Sequence, residues 1–576
     1  MLTFFFLYAF LQHQGGNDQQ VKKARICFSF DNSLPKPIDV LPPKSTFPEF
    51  VAPDGWLEEV EDEIVAQMML SDALGGSNSD ATVERVTPMA VVRCSRGGKT
   101  RALYEIANKI RGYNRTCQAD IAVLYVSFND YSSLETWEQQ SPLQSLLRRI
   151  VFMASHNDTQ KRSIVTFQDF ASKVQHVDPE DFLGWLGDST PCVLIVDELN
   201  NLNELTKRKS PAATEFATFV KLHFIAIQNR YFVFSSHQVS TLEYFSFFVD
   251  PSEGSVRPVV LQELPIADTL RKAIALKPTL DSAREGIYYG LLPGIIYKSE
   301  CPRAIRGKRD VFARDFLNQS QNLDSDFLKI LRSLLCGDAD LVPNQLHMIL
   351  DTVGNENGCV IRWVPFHLSF VLSKLKKADK FSYRRIATQM EELCDGIRDS
   401  KRCSGDGWEG LFVLFLLARC MTGLYDEYFM PSEWFSEKHP QVLFNEPYQS
   451  KGHRLFSECK TWEQLLKSVT PGTEPQLSIL YPTHSQFETY DVLAVYSKGG
   501  QNKSTYGYQL KEGTASTAQF CTNGIERSFW IQGNSPKNTN SKRNWEIPNK
   551  ASIDNFYGES GKHWTPEQWR KFEATK

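Results

Sequence analysis

The stretch Met89-Ala-Val-Val-Arg-Cys-Ser-Arg-Gly-Gly-Lys-Thr100 decides the fold. It begins with an apolar run typical of a buried strand, continues into a glycine-containing turn and leads into the helical pattern Arg101 to Ile110. A strand, a glycine-rich turn and a helix in this order favour anion binding, because the backbone N–H groups at the start of the helix point at the ligand. We therefore predict a nucleoside triphosphate site at this turn.

Each residue of the turn has a predicted role. Gly97 and Gly98 let the backbone approach the phosphates, Lys99 bridges the β and γ phosphates, and the Thr100 hydroxyl joins the coordination sphere of Mg²⁺. The first glycine of the GxxxxGK[ST] pattern is replaced by Arg93. That replacement leaves open whether the site hydrolyses nucleotide or only binds it.

Two further strands carry polar residues at their carboxyl ends, where α/β sheets build ligand sites. Val193 to Glu198 is an apolar strand followed by two acids. We expect Asp197 to hold Mg²⁺ through water and Glu198 to activate the attacking water. A third strand, Tyr231 to Phe234, ends in Ser235-Ser236-His237, which are either a polar sensor of the γ-phosphate or simply the polar residues that start a loop.

The pattern along the chain predicts an α/β protein of four parts. Strand-like runs alternate with helical runs up to about residue 264, which indicates a parallel sheet covered by helices, and helical periodicity dominates afterwards. Gly290-Leu-Leu-Pro-Gly294 looks like the glycine-proline motif in the helical lid of AAA-related, signal-transducing (STAND) ATPases. The predicted parts are residues 1–84 (accessory region), 85–264 (P-loop core), 265–404 (helical lid) and 405–576 (a restriction-endonuclease-like α/β domain).

The carboxy-terminal part has the layout of a PD-(D/E)xK nuclease core, in which two neighbouring strands carry the chemistry. Asp491 precedes one strand, and Gln509-x-Lys511 ends the next. We predict that Asp491 and Gln509 ligate Mg²⁺ and that Lys511 orients water, with Glu409 as an additional ligand because glutamine lacks the usual negative charge. The alternative is an ordinary hairpin with a surface aspartate and lysine.

Basic and aromatic residues are interleaved downstream, a mixture suited to phosphate contact and base stacking, although aromatic residues of a small domain more often form its core. The residues are Arg527, Lys537, Lys542, Arg543 and Lys562 with Phe529, Trp530, Trp545 and Trp564.

The formal net charge of -4 gives no general affinity for nucleic acid, so any such binding depends on a local basic surface. No apolar run is long enough to span a membrane, and the apolar start Met1 to Leu11 is interpreted as a buried segment or a misplaced start in preference to a secretion signal. We expect an intracellular protein that binds ATP and Mg²⁺, acts on DNA and self-associates through the ATPase domain.

An ATPase domain containing Arg96 to Arg101 and Val193 to Glu198, followed by a restriction-endonuclease-like domain, resembles the Crinkler and retrotransposon-hot-spot class of eukaryotic proteins. The resemblance implies ATP hydrolysis coupled to a Mg²⁺-dependent DNA nuclease, with an effector secreted and delivered to a host nucleus. The chain departs from the class in lacking a Leu-Phe-Leu-Ala-Lys delivery motif and in carrying Gln509. The alternative is an ATP-switched signalling or DNA-binding protein whose nuclease-like domain is inactive.

Overall fold

A computed structural model gives the structure of the protein, and its described residues form two compact units. The described residues are 50–74, 87–117, 120–128, 134–155, 166–188, 190–202, 205, 210–225, 227, 229–237, 260–261, 263–280, 282–299, 302–355, 358–398, 407–435, 439–444, 461–481, 489–511, 525–532 and 545–574. Within these ranges the first unit comprises residues 54–92 and 99–264 with residue 50, and the second comprises 51–53, 93–98 and 265–576. The interpretation of Met1 to Leu11 and the predicted cations Lys537, Lys542 and Arg543 fall outside the described residues.

The first unit is built on a parallel five-stranded sheet, as the alternating pattern predicts. Its strands are β1 (Met89–Val92), β2 (Ala122–Ser127), β3 (Cys192–Asp197), β4 (Arg230–Ser236) and β5 (Val260–Leu261), in the order β2-β3-β4-β1-β5. Strands β1 to β4 are apolar and buried along their length, which is what a parallel sheet covered on both faces requires. The α/β class is therefore confirmed.

Helices connect these strands. They are α1 (Trp56–Leu74), α2 (Lys99–Cys117), α3 (Thr136–Gln140), α4 (Pro142–Ser155), α5 (Phe167–Lys173), α6 (Pro179–Leu186) and α7 (Pro211–Val220). The capping chemistry is visible in the sequence: Thr166 and Asp169 form a capping box at α5, and Asp178 caps α6 before Pro179. The predicted helix after the glycine turn is thus α2, which extends to Cys117 beyond the predicted Ile110.

The strand register brings the polar carboxyl ends together at one edge of the sheet. Ser127 at the end of β2 pairs with Asp197 at the end of β3, and Val92 at the end of β1 pairs with Ser236 at the end of β4. Because β4 lies between β1 and β3, the end of β4 reaches both the phosphate loop strand and the acidic strand. Three of the predicted residues, Asp197, Glu198 and Ser235, consequently lie at the carboxyl ends of adjacent strands.

The second unit is mainly helical in its first part. Its helices there are α8 (Leu270–Leu276), α9 (Ala283–Tyr288), α10 (Pro293–Lys298), α11 (Pro302–Gln319), α12 (Leu323–Cys336), α13 (Pro365–Leu375), α14 (Arg384–Arg398) and α15 (Gly407–Thr422). The expectation that strand signals fade after residue 264 is wrong at one place, where β6 (Asp351–Asn355) and β7 (Gly358–Arg362) pair as an antiparallel hairpin. Gly358 is the first residue of β7 and pairs with Asn355, the last residue of β6.

A second five-stranded sheet forms the carboxy-terminal part of this unit. Its strands are β8 (Gln441–Phe444), β9 (Gln476–Leu480), β10 (Val492–Lys498), β11 (Gln501–Lys511) and β12 (Arg527–Gln532), in the order β12-β11-β10-β9-β8. Strands β9, β10 and β11 form an antiparallel meander, and β12 runs parallel to β11. The remaining helices are α16 (Trp462–Ser468), α17 (Lys550–Gly561) and α18 (Pro566–Ala574).

Candidate nucleotide site and carboxy-terminal acidic site

The loop between β1 and α2 has the compact shape that a phosphate-binding turn needs. The Gly97 N–H donates to the Cys94 carbonyl at 3.0 Å, and the backbone of Arg96 and Gly98 lies in the left-handed region with φ of 64° and 101°. Positive φ is natural for Gly98 but strained for Arg96, whose Cβ approaches the backbone in this conformation. The loop thus turns sharply immediately before the first residues of α2, which begins at Lys99.

Arg93, which stands where the pattern has its first glycine, lies under this loop. Its side chain is 1% exposed, and its Nε contacts Asp351 Oδ1 at 2.8 Å. Its Nη1 donates to the Pro265 carbonyl at 2.7 Å and, more weakly, to the Gly97 carbonyl at 3.4 Å. The Arg93 charge is therefore not exposed at the loop entrance, because the guanidinium is buried against an acid and two carbonyl groups.

In the first unit, four predicted side chains meet at the polar edge of the sheet. Lys99 Nζ is 3.2 Å from Glu198 Oε1, and the Thr100 hydroxyl donates to Asp197 Oδ2 at 2.8 Å. Lys99, Asp197 and Glu198 are buried. A lysine and a threonine from the start of one helix therefore face two adjacent acids from the end of a strand, as the two motifs predict.

Asp197 is held by two serine hydroxyls from the neighbouring strands. Ser235 donates to Asp197 Oδ1 at 2.6 Å and accepts the Glu198 backbone N–H at 2.9 Å, while Ser127 donates to Oδ2 at 3.3 Å. Ser235 consequently orients the acidic pair, a role that neither the sensor interpretation nor the loop interpretation described. Ser127 was missed in the sequence, although its position at the end of β2 was the available signal.

Glu198 is shared between two cationic or polar partners. Its Oε2 is 2.9 Å from His237 Nδ1, and His237 in turn contacts the Asn200 side chain at 2.9 Å. Burial raises the pKa of Glu198, but the charge of Lys99 and the contact with His237 outweigh burial and hold that pKa well below its usual value of 4.5. The carboxylate is therefore ionised throughout the neutral range. His237, which belongs to the polar segment predicted at the end of the third strand, lies in the site, and so does Asn200, which the sequence did not single out.

The donor set at this edge suits a hard divalent cation. Thr100 offers a hydroxyl oxygen and Asp197 a carboxylate oxygen, the ligand types that Mg²⁺ prefers beside phosphate oxygens and water. Among the described residues no group of three His, Cys, Asp or Glu side chains comes close enough to hold a metal ion. Any Mg²⁺ here would accordingly take most of its ligands from substrate and water.

The predicted carboxy-terminal pair lies on adjacent strands of the second sheet. The Asp491 backbone N–H donates to the Tyr508 carbonyl at 2.9 Å, and the Leu510 N–H donates to Asp491 Oδ2 at 2.6 Å. Gln509 lies between these two partners, is 7% exposed, and its Oε1 is buried without a hydrogen-bond partner in the part of the chain that the structure describes. The structure thus brings Asp491 and Gln509 to neighbouring positions at one sheet end.

The structure gives less information on the other two predicted residues, Glu409 and Lys511. Glu409 lies in the first turn of α15, whose Phe412 ring is 5.0 Å from the ring of Tyr508. Because neighbouring residues of a strand point to opposite faces, α15 covers the face opposite to Gln509. The backbone of Lys511 pairs with Gln532, while its side chain lies outside what the structure describes. Both residues stay predictions.

The aromatic residues predicted to stack on bases are buried in the core of the unit. Trp530 and Trp545 pack with their ring centroids 5.7 Å apart, and Phe529 and Trp564 are likewise buried. Arg527 donates two hydrogen bonds to the Glu546 carboxylate. This ion pair raises the pKa of the guanidinium, which stays charged, and the carboxylate balances its positive charge. The core interpretation is therefore correct for these aromatic residues, and the base-stacking interpretation is wrong.

The glycine-proline motif of the second unit lies against the loop. A Cβ added at Gly294, near the start of α10, would come within 2.1 Å of the Arg96 carbonyl oxygen. Gly290 has a φ of 66° and a Cβ there would meet Val364 at 2.8 Å. Both glycines are therefore required by close packing, and Gly294 lies next to the backbone of the loop that contains Arg96.

Comparisons with known proteins find only weak similarities to solved structures. No protein-family model matches the chain, and a search of curated proteins finds no match. Among solved structures, the chain is similar to the ORC1 protein of Aeropyrum pernix in complex with DNA, with 12% identity and a TM-score of 0.28 over 60% of this chain and 97% of that one. Two others have 11% identity: a Walker-type ATPase of Pyrococcus abyssi (TM-score 0.31, 55% of this chain and 96% of that one) and the ORC2 protein of Aeropyrum pernix in ADPNP and ADP complexes (TM-score 0.25, 63% and 98%).

Such low similarity supports no family and no activity, and none of these three structures is a Crinkler or a nuclease by its description. The site residues consequently carry the functional proposal. In the described part of the chain, no helix has the length and apolar character needed to cross a membrane.

Proposed function

We propose that the protein is a Mg²⁺-dependent nucleoside triphosphatase with ATP as its expected substrate. The observation that carries this proposal is the convergence of Lys99 and Thr100 with Asp197 and Glu198 at the carboxyl edge of a parallel sheet. Lysine supplies a mobile positive charge for the β and γ phosphates, and Glu198 supplies an ionised carboxylate for the attacking water. Bound Mg²⁺ would neutralise charge on the phosphate oxygens, with Thr100 and Asp197 as the residues that hold it.

In this proposal Lys99 exchanges one anionic partner for another. Its contact with Glu198 at 3.2 Å keeps the ammonium group at the sheet edge until nucleotide phosphates replace the carboxylate. Release of Glu198 from Lys99 leaves the carboxylate bonded to His237, which orients it, and free to accept a proton from water on its other oxygen. Ser235 maintains the direction of Asp197 through this exchange.

The test is phosphate release from ATP in the presence of Mg²⁺. We expect Lys99→Ala to lower turnover by at least about a hundredfold, because the charge on the transferred phosphoryl group loses its principal protein partner. Lys109→Ala is the matched control: Lys109 lies on the same helix α2, pairs with Glu58 and Glu61, and should leave turnover unchanged. Equal rates for the two variants would contradict the proposed site.

A second proposal concerns the carboxy-terminal sheet, and the unpartnered Gln509 Oε1 beside Asp491 favours it. We propose that this end of the sheet is a weak Mg²⁺ site for DNA cleavage that the ATPase controls, with an ATP-switched DNA-binding protein as the alternative. The antiparallel meander β9-β10-β11 with a parallel β12 supports the predicted nuclease-like layout. Glutamine in place of an acid lowers the charge available to the metal ion.

Plasmid nicking with Mg²⁺, with and without ATP, tests the second proposal. We expect Gln509→Glu to increase cleavage, because it adds one negative charge at this end of the sheet. We expect Asp491→Asn to abolish cleavage, because it removes one negative charge from the same end. Gln501→Glu, which adds the same charge at the other end of β11, is the control. If no variant cleaves under either condition, the ATP-switched binding protein is the correct alternative.

A further inference from the structure

The replacement of the first loop glycine by Arg93 is accompanied by buried acceptors for the arginine. Arg93 is 1% exposed, its ion-pair partner Asp351 is 10% exposed, and the two are 2.8 Å apart although 258 residues separate them in the chain. Burying a guanidinium is costly unless its donors find acceptors, and here Asp351 accepts a hydrogen bond from Nε while the carbonyls of Pro265 and Gly97 accept from Nη1. The substitution is therefore built into the packing of the second unit.

Arg93 also determines which residue can stand at position 97. A Cβ added at Gly97 would come within 2.4 Å of both Cγ and Cδ of Arg93, so the stem of the arginine passes directly beneath the loop backbone. The Arg93 head group contacts the Gly97 carbonyl from the same side. The side chain thus occupies the space under the turn, and glycine at position 97 is the residue that leaves room for it.

The segment that supplies Asp351 contacts the loop at a second point. The Ser95 backbone N–H donates to the Met348 carbonyl at 2.6 Å. Met348 and Asp351 are three residues apart, so this segment, which we name the 348–351 support, holds the loop through both a side chain and a main-chain carbonyl. Asp351 is in turn the first residue of β6 and pairs with Arg362 in the hairpin.

We propose that Arg93 is a positioning residue for nucleotide binding, which takes over the role of the first glycine by holding the phosphate loop against the 348–351 support. The proposal rests on the proposed nucleotide site. It has a consequence opposite to that expected from the sequence pattern: Arg93→Gly, which completes the GxxxxGK[ST] motif, weakens nucleotide binding. The loss arises because the loop backbone, including the N–H groups that face phosphate, no longer has a fixed support.

The experiment measures the Kd of a fluorescent ATP analogue with Mg²⁺, and the KM and kcat of phosphate release, for the full chain and its variants. We expect Arg93→Gly and Asp351→Asn to raise Kd and KM by about tenfold or more while kcat at saturation changes by less than about threefold, because Asp197 and Glu198 are untouched. Arg93→Lys keeps the positive charge but loses the forked arrangement of donors. Its Kd and KM should therefore lie between those of the original protein and those of Arg93→Gly. Asp379→Asn, at a fully exposed acid, is the matched control.

The outcomes separate the two proposals. Arg93→Gly or Asp351→Asn binding as tightly as the original protein overturns the positioning role, whereas equal binding by the original protein and Lys99→Ala overturns the nucleotide site itself and the positioning role with it. A change that only lowers the folded fraction reduces the number of binding sites and kcat but leaves Kd unchanged, and that result also overturns the positioning role. If Arg93→Gly does not fold, Asp351→Asn decides, since it retains the size of the side chain.

Discussion

Glu198 combines a strained backbone with a carboxylate that has two competing partners. Its φ of 56° lies in the left-handed region, which costs a residue with a Cβ about 1 kcal/mol. This turn of the backbone directs the carboxylate toward Lys99 on one side and His237 on the other. Neither the conformation nor the histidine contact could be read from an apolar strand followed by two acids, because both depend on where β4 ends.

Removing the Glu198 charge should separate binding from turnover. We expect Glu198→Gln to lower phosphate release by at least about a hundredfold, because the amide cannot accept the proton of the attacking water. Nucleotide binding should stay equal or become tighter, since Lys99 is no longer engaged by a carboxylate. Measuring Kd and kcat on the same preparation tests this, and a parallel loss of both quantities would contradict it.

The sequence predicted the residues of the candidate nucleotide site better than the residues that pack around and support them. Lys99, Thr100, Asp197 and Glu198 were identified because their chemistry and spacing are local properties of two short segments. The partners of Arg93 were not identified, since Asp351 lies 258 residues away and only the folded chain brings it near.

At the scale of elements, the start of α10 packs closely against the backbone of the phosphate loop. Pro293 stands in the first turn of α10, and Gly294 follows it at the point where the Arg96 carbonyl approaches. The glycine-proline motif therefore has a local physical reason that does not depend on any family: proline starts the helix, and glycine lets the loop backbone pass.

Adding one methyl group at this contact should displace the loop. We expect Gly294→Ala to weaken nucleotide binding by about tenfold or more, because its Cβ would lie 2.1 Å from a backbone oxygen that no side-chain rotation can relieve. Gly184→Ala is the control, since nothing lies within 4 Å of its added Cβ and alanine favours the helix that contains it. Titration with the fluorescent ATP analogue checks both variants, and equal affinities would contradict the steric role of Gly294.

The elements themselves were largely predictable where a strong apolar run or an amphipathic period exists. Strands β1, β3 and β4 lie within a few residues of their predicted positions, and helix α2 begins close to its predicted start at Arg101. The hairpin β6-β7 was missed because its strands are short and polar at their ends, so packing rather than periodicity maintains it.

At the scale of the whole molecule, each compact unit has its own sheet, and the second unit contains two histidines with lowered pKa values, the buried His367 and the partly buried His563. Burial, with the charges of Arg362 and Lys562, lowers the pKa of His563 from 6.5 to about 3. Burial and the nearby Arg309 also lower the pKa of His367 well below its usual value. Both rings are therefore neutral in the folded protein at any pH near neutrality.

This arrangement predicts a loss of stability in mild acid. The unfolded chain takes up a proton on each histidine below about pH 6.5, whereas folded His563 does not until about pH 3, so the free energy of unfolding is largest above pH 6.5 and falls as the pH decreases. The slope is up to about 1.4 kcal/mol per pH unit for each such histidine. We expect His563→Leu to reduce the difference in unfolding free energy between pH 7.5 and pH 5.0.

Denaturant unfolding at the two pH values measures this difference, and His176→Leu in the first unit is the control. The comparison uses the change with pH and not the absolute stability, so a general effect of the substitution cancels. The prediction would be contradicted if the unfolding free energy of His563→Leu changed between pH 7.5 and pH 5.0 by as much as that of the original protein.

The buried Arg93–Asp351 pair has an evolutionary consequence. A charge on either residue alone would be left buried without its partner, so the two positions are expected to change together during divergence. Relatives with glycine at the position of Arg93 should be free to lose the acid at the position of Asp351, and to accept larger residues where Gly97 now stands. A motif search that demands the first glycine would overlook every relative that kept the arginine, whereas covariation between the two distant positions would reveal them.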